Sequence, residues 1–224
     1  MRRGMRVTWT MLIAAGALAA AAVVPASSMA GGALKLETSG TGLVGGAPIS
    51  LVSSNVTISN AFWSMACSEV SMNGALAQNR KGKGNSVQIT EGGSFGGGGN
   101  EGLCESGPEF VAKFEPEQLP ELTLNTKGKA LLHYTRLRLV PRANIEKVEN
   151  KQEACVISAL TLRGTFPITT TPQPLAVTFT SAKMKIDAKG PECGIGLEGK
   201  PRFTGTLGAT SRGSTVEVQL ISGH

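Results

Sequence analysis

The sequence predicts an all-β protein, built as an antiparallel β-sandwich and stapled by two disulfides. Short apolar–polar alternations recur along the chain and are separated by turn residues; the 224 residues include 29 glycines and 11 prolines. No amphipathic helical pattern follows residue 30. Short strands separated by turn residues indicate a sandwich or barrel rather than a parallel α/β sheet. Because alternation with one apolar face is typical of antiparallel sheets with a solvated side, we expect the sandwich.

Individual strands follow from this alternation. The strand predicted over residues 130–140 has an apolar and a basic face, with Leu131, Thr135, Leu137 and Leu139 against Arg136 and Arg138. Residues 215–220 alternate in the same way. The apolar residue Phe179 occupies an odd position of the sequence and Met184 an even one. The apolar face therefore changes sides between them, which predicts a β-bulge. Further strands are predicted over residues 34–38, 55–59, 87–90, 109–114, 122–126, 155–162 and 196–204.

The first thirty residues have the pattern of a secretory signal peptide. Arg2, Arg3 and Arg6 are followed by an uncharged, alanine-rich segment over residues 7–24, and Ser28-Met29-Ala30 offers the small residues that a signal peptidase requires. The alternative is a retained single-span anchor, but alanine contributes little to membrane insertion. We therefore expect cleavage near Ala30, one all-β domain over residues 31–224 with no membrane span, and a secreted or cell-envelope-associated protein.

The charge of the expected mature chain argues against nucleic-acid binding. The full chain has 22 Lys+Arg and 16 Asp+Glu, and removing the three leader arginines leaves 22 − 3 = 19 basic residues, a net charge of +3. Beyond the leader the sequence has one tryptophan, Trp63, and one tyrosine, Tyr134. Nucleic-acid interfaces need a concentrated basic face with stacking aromatics.

Four cysteines in an exported chain predict disulfides. Cys67 and Cys104 are 37 residues apart, and Cys155 and Cys193 are 38 apart. These similar spacings favour the pairs Cys67–Cys104 and Cys155–Cys193 among the three possible pairings, and they suggest an internal duplication of two β units. A zinc site is disfavoured because the chain has no C-x-x-C pair and two histidines in all.

Two glycine-containing segments and a glutamate cluster are the next candidates. Residues 79–84 (NRKGKG) and the glycine-dense residues 92–102 lack the Lys-Ser or Lys-Thr of a phosphate-binding loop, so we expect flexible hairpin tips. The glutamates could supply the paired carboxylates of a glycoside hydrolase or form a solvated acidic face, which we favour. They are Glu91, Glu101, Glu105, Glu109, Glu115, Glu117 and Glu121.

His133 and Trp63 are better explained by structure than by chemistry. His133 is the one histidine besides the terminal His224, and a catalytic base needs a nucleophile and an orienting acid nearby. By parity it shares a face with Leu131 and Leu137, so we expect a hydrogen-bonded, partly buried histidine. Trp63 could stack on a sugar, but carbohydrate modules usually display several aromatics, and packing beside Cys67 is favoured.

The second half of the chain has a recognisable layout. Leu119-Pro120 precedes a strand pair, Cys155 opens a strand that ends in residues 162–166 (LRGTF), and residues 174–179 (PLAVTF), Cys193 and residues 213–218 (GSTVEV) follow. Over residues 104–224 the chain resembles a group of uncharacterised exported, two-disulfide β proteins of high-GC soil actinobacteria. The resemblance implies export, a β fold and the disulfides, and it transfers no catalytic or binding residue.

The sequence thus offers no catalytic, cofactor-binding or metal-binding constellation. It predicts a non-enzymatic module of the cell envelope or the extracellular space. Such a module would bind a cell-wall polymer, or another envelope protein through an exposed strand edge. The alternative is a carboxylate-based hydrolase of extracellular glycans that uses two of the clustered glutamates.

Overall fold

Regular structure in the described part of the chain consists of β-strands. The computed structural model describes residues 32–61, 64–77, 85–96, 104–106, 110–114, 119–141, 155–188 and 200–221. The strands are β1 (Ala33–Thr38), β2 (Thr41–Gly42), β3 (Pro48–Ser53), β4 (Val56–Ser59), β5 (Ser64–Cys67), β6 (Glu69–Leu76), β7 (Ser86–Gly96), β8 (Glu105–Ser106), β9 (Phe110–Phe114), β10 (Glu121–Leu124), β11 (Lys129–Pro141), β12 (Cys155–Thr165), β13 (Gln173–Pro174), β14 (Ala176–Lys183), β15 (Lys185–Ala188), β16 (Arg202–Ser211), β17 (Ser214–Thr215) and β18 (Glu217–Ile221).

Eight of these strands close into an antiparallel barrel. Its order is β3-β6-β7-β10-β11-β12-β14-β16, and β16 pairs back with β3. Each strand of this ring therefore lies beside the ring strands that precede and follow it along the chain. The all-β, antiparallel prediction is confirmed, but the sandwich is wrong. In a sandwich and in a barrel, each strand buries one of its two faces. The apolar–polar alternation of the sequence is therefore the same in both, and it does not reveal the pairing that closes the ring.

A second sheet, in the order β13-β18-β1-β2, packs its apolar side chains into the same core. Leu36 and Val218 are directly opposed in it, and both are buried. The Leu175 amide donates to the Val216 carbonyl, which joins this sheet to the start of β14. Together the two sheets enclose one hydrophobic core.

The barrel interior is filled by side chains rather than left as a channel. Phe179 and Phe203 meet edge to face, with ring centroids 5.5 Å apart, and both are fully buried. Aliphatic side chains surround them, and small barrels are filled in this way. The largest other fully buried side chains are Ile49, Leu51, Ile58, Met65, Met72, Leu122, Leu124, Leu132 and Leu137.

The disulfide between Cys67 and Cys104 is present, as the sequence spacing predicted. Register sets the two cysteines opposite each other, because Met65 pairs with Ser106 and Ala66 with Glu105. Both cysteines are buried within the core. The bridge therefore fastens β5 and β8, which continue from β4 outside the ring. Cys193 lies outside the described residues, so the pairing Cys155–Cys193 and the duplication inferred with it remain predictions.

The buried face of β11 changes sides at Tyr134, whereas the sequence predicted a single apolar face over residues 130–140. Leu131 and His133 are half-buried, whereas Leu137 is fully buried, so these three side chains do not share one face as predicted. Tyr134 has φ +57°, a left-handed conformation that bulky residues rarely adopt. This residue reverses the alternation along β11, which accounts for the wrong assignment. The reversal that the sequence did predict, between Phe179 and Met184, is confirmed, since β14 shifts register between Phe179 and Ala182, and Ser181 has φ +51°.

Within a strand an alanine variant is usually more stable than a glycine variant, and we expect the opposite order of stability at position 134. In a strand, glycine is less stable than alanine by about 0.5–1 kcal/mol, whereas the left-handed region costs a non-glycine residue about 1–2 kcal/mol. Tyr134→Gly should therefore be more stable than Tyr134→Ala by about 1 kcal/mol in urea denaturation. Arg163 is an exposed position of β12 without positive φ, and there the matched variant Arg163→Gly should be less stable than Arg163→Ala. The same ranking at both positions would contradict a strained Tyr134.

The glycine-dense segment is partly strand. β7 continues through Gly92, Gly93 and Gly96, and it pairs with β6 across two register shifts. The prediction of a flexible tip is wrong for residues 92–96. Residues 97–102 and 79–84, and with them the basic turn, lie outside the described part of the chain.

Candidate functional site

An open notch with a volume of about 550 Å³ lies on the outer side of the barrel. It lies where β3 passes into β4 and β5 passes into β6, beside β16. Serine, asparagine, threonine and glutamate dominate its lining. We call it the serine notch; its lining residues are Val52, Ser53, Ser54, Asn55, Ser68, Glu69, Val70, Ser71 and Thr206.

The notch results from a bend in one long hairpin. The pairs Ser53–Val70 and Val56–Cys67 belong to the same register, so β3–β4 and β5–β6 form one ladder that is interrupted at residues 54–55 and 68–69. Along the other edge, Gly208 of β16 pairs with Val52, and Thr204 of β16 pairs with Thr57. Three residues of β16 thus span four of the hairpin, and the extra hairpin residue is a bulge that opens the outer surface.

Close packing of the backbone holds this bend. A Cβ on Gly205 would lie 2.9 Å from Val56 Cγ2 and 3.1 Å from the Asn55 carbonyl oxygen. A glycine is therefore needed for β16 to approach the hairpin here. Ser53 Oγ donates to Asn55 Oδ1 over 3.2 Å, and the backbone N–H of Asn55 donates back to Ser53 Oγ over 3.3 Å. These bonds fix the Asn55 side chain at the edge of the notch.

Several polar groups of the notch have no partner of their own. Within the described part of the chain, the side chains of Ser54, Ser68 and Ser71 make no hydrogen bond, and neither does Asn55 Nδ2. Glu69 is the one ionisable residue of the lining. Val52, 39% exposed, adds an apolar patch. The notch thus offers hydroxyl and amide groups, one charged side chain, and an accessible surface that is more apolar than polar, which suits an uncharged ligand with both hydroxyl groups and C–H faces.

His133 is the hydrogen-bonded, half-buried histidine that the sequence predicted. Its Nδ1 lies 3.1 Å from Thr161 Oγ1, and its Nε2 lies 3.1 Å from Thr123 Oγ1. Both ring nitrogens are thus engaged by threonines of the neighbouring strands. The histidine ties β10, β11 and β12 together on their outer side.

The structure describes little of the glutamate cluster. Glu121 lies on β10 and is opposed by Gln88 and His133, neither of which is a carboxylate. Glu91 and Glu105 lie on β7 and β8, opposite Asn73 and Ala66. Trp63 lies outside the described residues. So do the other members of the predicted glutamate cluster, which are Glu101, Glu109, Glu115 and Glu117. A two-carboxylate hydrolase site therefore remains a prediction.

Sequence reasoning missed the serine notch, although a signal was present. Ile49 and Leu51 have odd parity, whereas Val56 and Ile58 have even parity, and all four are buried. Ser53, Ser54 and Asn55 separate the two pairs. The same reversal of parity correctly predicted the bulge after Phe179, so it could have predicted a bend here as well.

Comparison of the chain with protein-family models, curated proteins and solved structures gives no match. Within the described ranges, no group of three or more His, Cys, Asp or Glu side chains is placed to hold a metal ion. No helix long and apolar enough to cross a membrane occurs among those residues either.

Proposed function

We propose that the protein is an exported, non-enzymatic module that binds an uncharged glycan chain of the cell wall or envelope in the serine notch. The observation that supports this most is the set of unpartnered hydroxyl and amide groups around one open concavity of about 550 Å³. Sites for small ligands usually span roughly 300–1,000 Å³. The notch has room for a short stretch of sugar rings while remaining open to a longer polymer.

The chemistry of the lining supports a glycan over other ligands. Sugar hydroxyls both donate and accept hydrogen bonds, and so do the serine hydroxyls and the Asn55 amide. The C–H face of a sugar ring can pack on Val52. A phosphate-rich polymer is disfavoured because the one ionisable residue of the lining is Glu69. Export is supported by the leader pattern and by the Cys67–Cys104 bridge, which suits an oxidising compartment.

Removing the unpartnered hydroxyls should weaken glycan binding without loss of fold. A net hydrogen bond contributes about 0.5–1.5 kcal/mol, so Ser54→Ala, Ser68→Ala and Ser71→Ala together should raise Kd at least roughly tenfold. The measurement is a ¹⁵N NMR titration with chitohexaose, a neutral β-1,4-linked N-acetylglucosamine chain. In the wild type, the amide shifts should centre on residues 52–55 and 68–71.

A matched control is the triple variant Ser64→Ala, Thr170→Ala and Ser214→Ala, which removes three exposed hydroxyl groups outside the notch. It should bind as the wild type does. Equal Kd values for the notch variant and the wild type would contradict the proposed site, and so would shifts confined to other residues. Mass spectrometry of the glycan after long incubation should show the intact hexamer. Accumulation of shorter chains would overturn the non-enzymatic proposal.

A further inference from the structure

The outer surface of β16, β14 and β12, next to the serine notch, carries a row of threonines. Thr206 lines the notch, Thr178 is directly opposite it on β14, and Thr165 is directly opposite Thr178 on β12. Their neighbours along the strands, among them Phe179 and Leu207, are buried, so the three threonines face outward. With strands about 4.8 Å apart, the row extends about 10 Å from the edge of the notch.

A second row, of small apolar residues, runs beside the threonines. Val52 lines the notch, Gly208 is directly opposite it on β16, and Ala176 is directly opposite Gly208 on β14. Gly208 and Ala176 each lie two residues along the strand from a threonine of the first row, so the rows are about 7 Å apart. A Cβ on Gly208 would meet only the Val52 carbonyl oxygen, at 3.8 Å, so the surface above it is open. We call the two rows together the threonine track, which consists of Thr165, Thr178, Thr206, Val52, Gly208 and Ala176.

The threonine hydroxyls of the track keep hydrogen-bonding capacity for a ligand. Thr178 Oγ1 and Thr206 Oγ1 are 3.0 Å apart and share one hydrogen bond. Because a hydroxyl has one donor and two acceptor sites, this pair still offers a donor and acceptors to a ligand. Within the described ranges the Thr165 hydroxyl makes no hydrogen bond. Thr165 and Thr178 are both exposed, so a ligand on the outer surface can reach them.

The two rows of the track match the two kinds of surface on a sugar ring, since hydroxyl groups hydrogen-bond and C–H faces pack on apolar side chains. The track residues include no ionisable and no aromatic side chain. Protein partners are usually anchored by Trp, Tyr and Arg, and anionic polymers by Lys and Arg. Lys129, directly opposite Thr165 on β11, is the first charged residue in line and ends the track. The track therefore extends the chemistry of the notch instead of adding a different ligand.

We propose that a glycan chain held in the serine notch continues onto the threonine track, at right angles to β16, β14 and β12. About two sugar rings beyond the notch lie on the track, because a sugar ring is about as long as the spacing between strands. Thr178 and Thr165 hydrogen-bond the hydroxyl groups of these rings, whose C–H faces pack on Gly208 and Ala176. This inference rests on the proposed function and adds that the ligand is a polymer rather than a single sugar or a disaccharide.

The alternative route for a longer chain runs along the hairpin, over β3 and β6. The first polar groups on that route are Ser50 and Asn73, and Ser50 Oγ donates to Asn73 Oδ1 over 2.8 Å, so its one proton is already engaged. The next opposed pair, Pro48 and Ala75, adds no hydroxyl. The exposed threonines therefore favour the track over the hairpin route, and the two routes predict different variants that weaken binding.

The test compares chitobiose, which fits within the notch, with chitohexaose, which reaches the track, by NMR titration of the purified protein. Thr165→Val with Thr178→Val removes two hydroxyls and keeps the β-branched shape. It should raise the Kd of chitohexaose at least fivefold and leave that of chitobiose unchanged. A longer chain also offers more starting positions, but this advantage is the same for the wild type and the variant. The matched control, Thr41→Val with Thr90→Val, changes exposed strand threonines outside the notch and the track and should leave both Kd values unchanged.

A second variant blocks the track without removing a hydroxyl. Ala176→Lys places a long side chain on the apolar row, so it should weaken chitohexaose binding at least fivefold and leave chitobiose binding unchanged. In the wild type, chitohexaose should shift the amides of residues 165, 176–178 and 206–208 in addition to those of the notch. The matched control is Ala75→Lys, because Ala75 is also half-buried on the outer side of a ring strand and lies on the hairpin route. It should bind both sugars as the wild type does.

Failure of this inference and failure of the proposed function give different results. Equal Kd values for chitobiose and chitohexaose, both raised by the notch variant, would overturn the track and leave the proposed function standing. Weaker chitohexaose binding by Ala75→Lys but not by Ala176→Lys would assign the chain to the hairpin route. A threonine variant that weakens both sugars equally would show an indirect effect on the notch and contradict the track. Binding of neither sugar to the wild type would overturn the proposed function and the track together.

Discussion

Replacing Cys67 and Cys104 together by alanine should lower the free energy of unfolding by about 4 kcal/mol. The bridge spans a sequence separation of 37 residues, and cross-linking a loop of that length restricts the unfolded chain. It also joins opposed positions of β5 and β8, strands that the barrel ring itself does not hold. Urea denaturation followed by circular dichroism measures the change. The dependence on urea should steepen as well, because the unfolded chain without the bridge exposes more surface.

The single variants supply the control for this prediction. Cys67→Ala and Cys104→Ala each remove the same covalent bond, so each should destabilise almost as much as the pair. Their effects should therefore be strongly non-additive. Two single effects that sum to the double effect would show that side-chain packing, and not the cross-link, carries the loss. A double variant within about 1 kcal/mol of the wild type would argue against the chain-entropy explanation.

The sequence was sufficient for local features whose cause is local. Parity along each strand identified most strands, and the opposite parities of Phe179 and Met184 predicted the bulge that the register confirms. Similar cysteine spacings, 37 and 38 residues, favoured the Cys67–Cys104 pair, which the structure contains. For the strands and the bulge a short stretch of chain carries the information, because burial of one face dictates where apolar side chains stand.

The closure of the barrel depended on information that no single stretch carries. β3 and β16 are joined in the ring by pairs such as Leu51–Ala209, which lie far apart in sequence. Neither Leu51 nor Ala209 lies in a strand that the sequence predicted, and alternation shows only which side chains face inward, not which strand lies beside which. An eight-stranded ring and two stacked sheets therefore predict the same pattern. The choice is made by pairing and twist over the whole chain.

The change of face at Tyr134 was hidden for a different reason. Positive φ is expected of glycine, asparagine or aspartate, and a tyrosine within a strand gives no hint of it. The misplaced faces of Leu131 and Leu137 follow from that single residue. The serine notch, in contrast, was visible in principle, because a cluster of turn-forming residues separates two alternations of opposite parity at Ser53-Ser54-Asn55.

Gly74→Ala should lower the free energy of unfolding by about 3 kcal/mol, the upper end of what overpacking usually costs. A Cβ at this position would overlap the Gln88 carbonyl oxygen and would lie 3.0 Å from Ile89 Cα. Both atoms belong to the backbone of β7, so no side-chain rotation relieves the clash.

Gly208→Ala is the matched control, because Gly208 also lies on a ring strand. The nearest atom to its Cβ would be the Val52 carbonyl oxygen at 3.8 Å, an ordinary contact. This variant should be neutral or more stable by about 0.4–1 kcal/mol, since alanine restricts the unfolded chain. Comparing the free energies of unfolding of the two variants under the same conditions separates the cost of the steric clash from the general effect of replacing glycine by alanine. If Gly74→Ala were as stable as Gly208→Ala, β6 and β7 would have to be further apart than the ring allows, and the pairing that places β7 between β6 and β10 would be wrong.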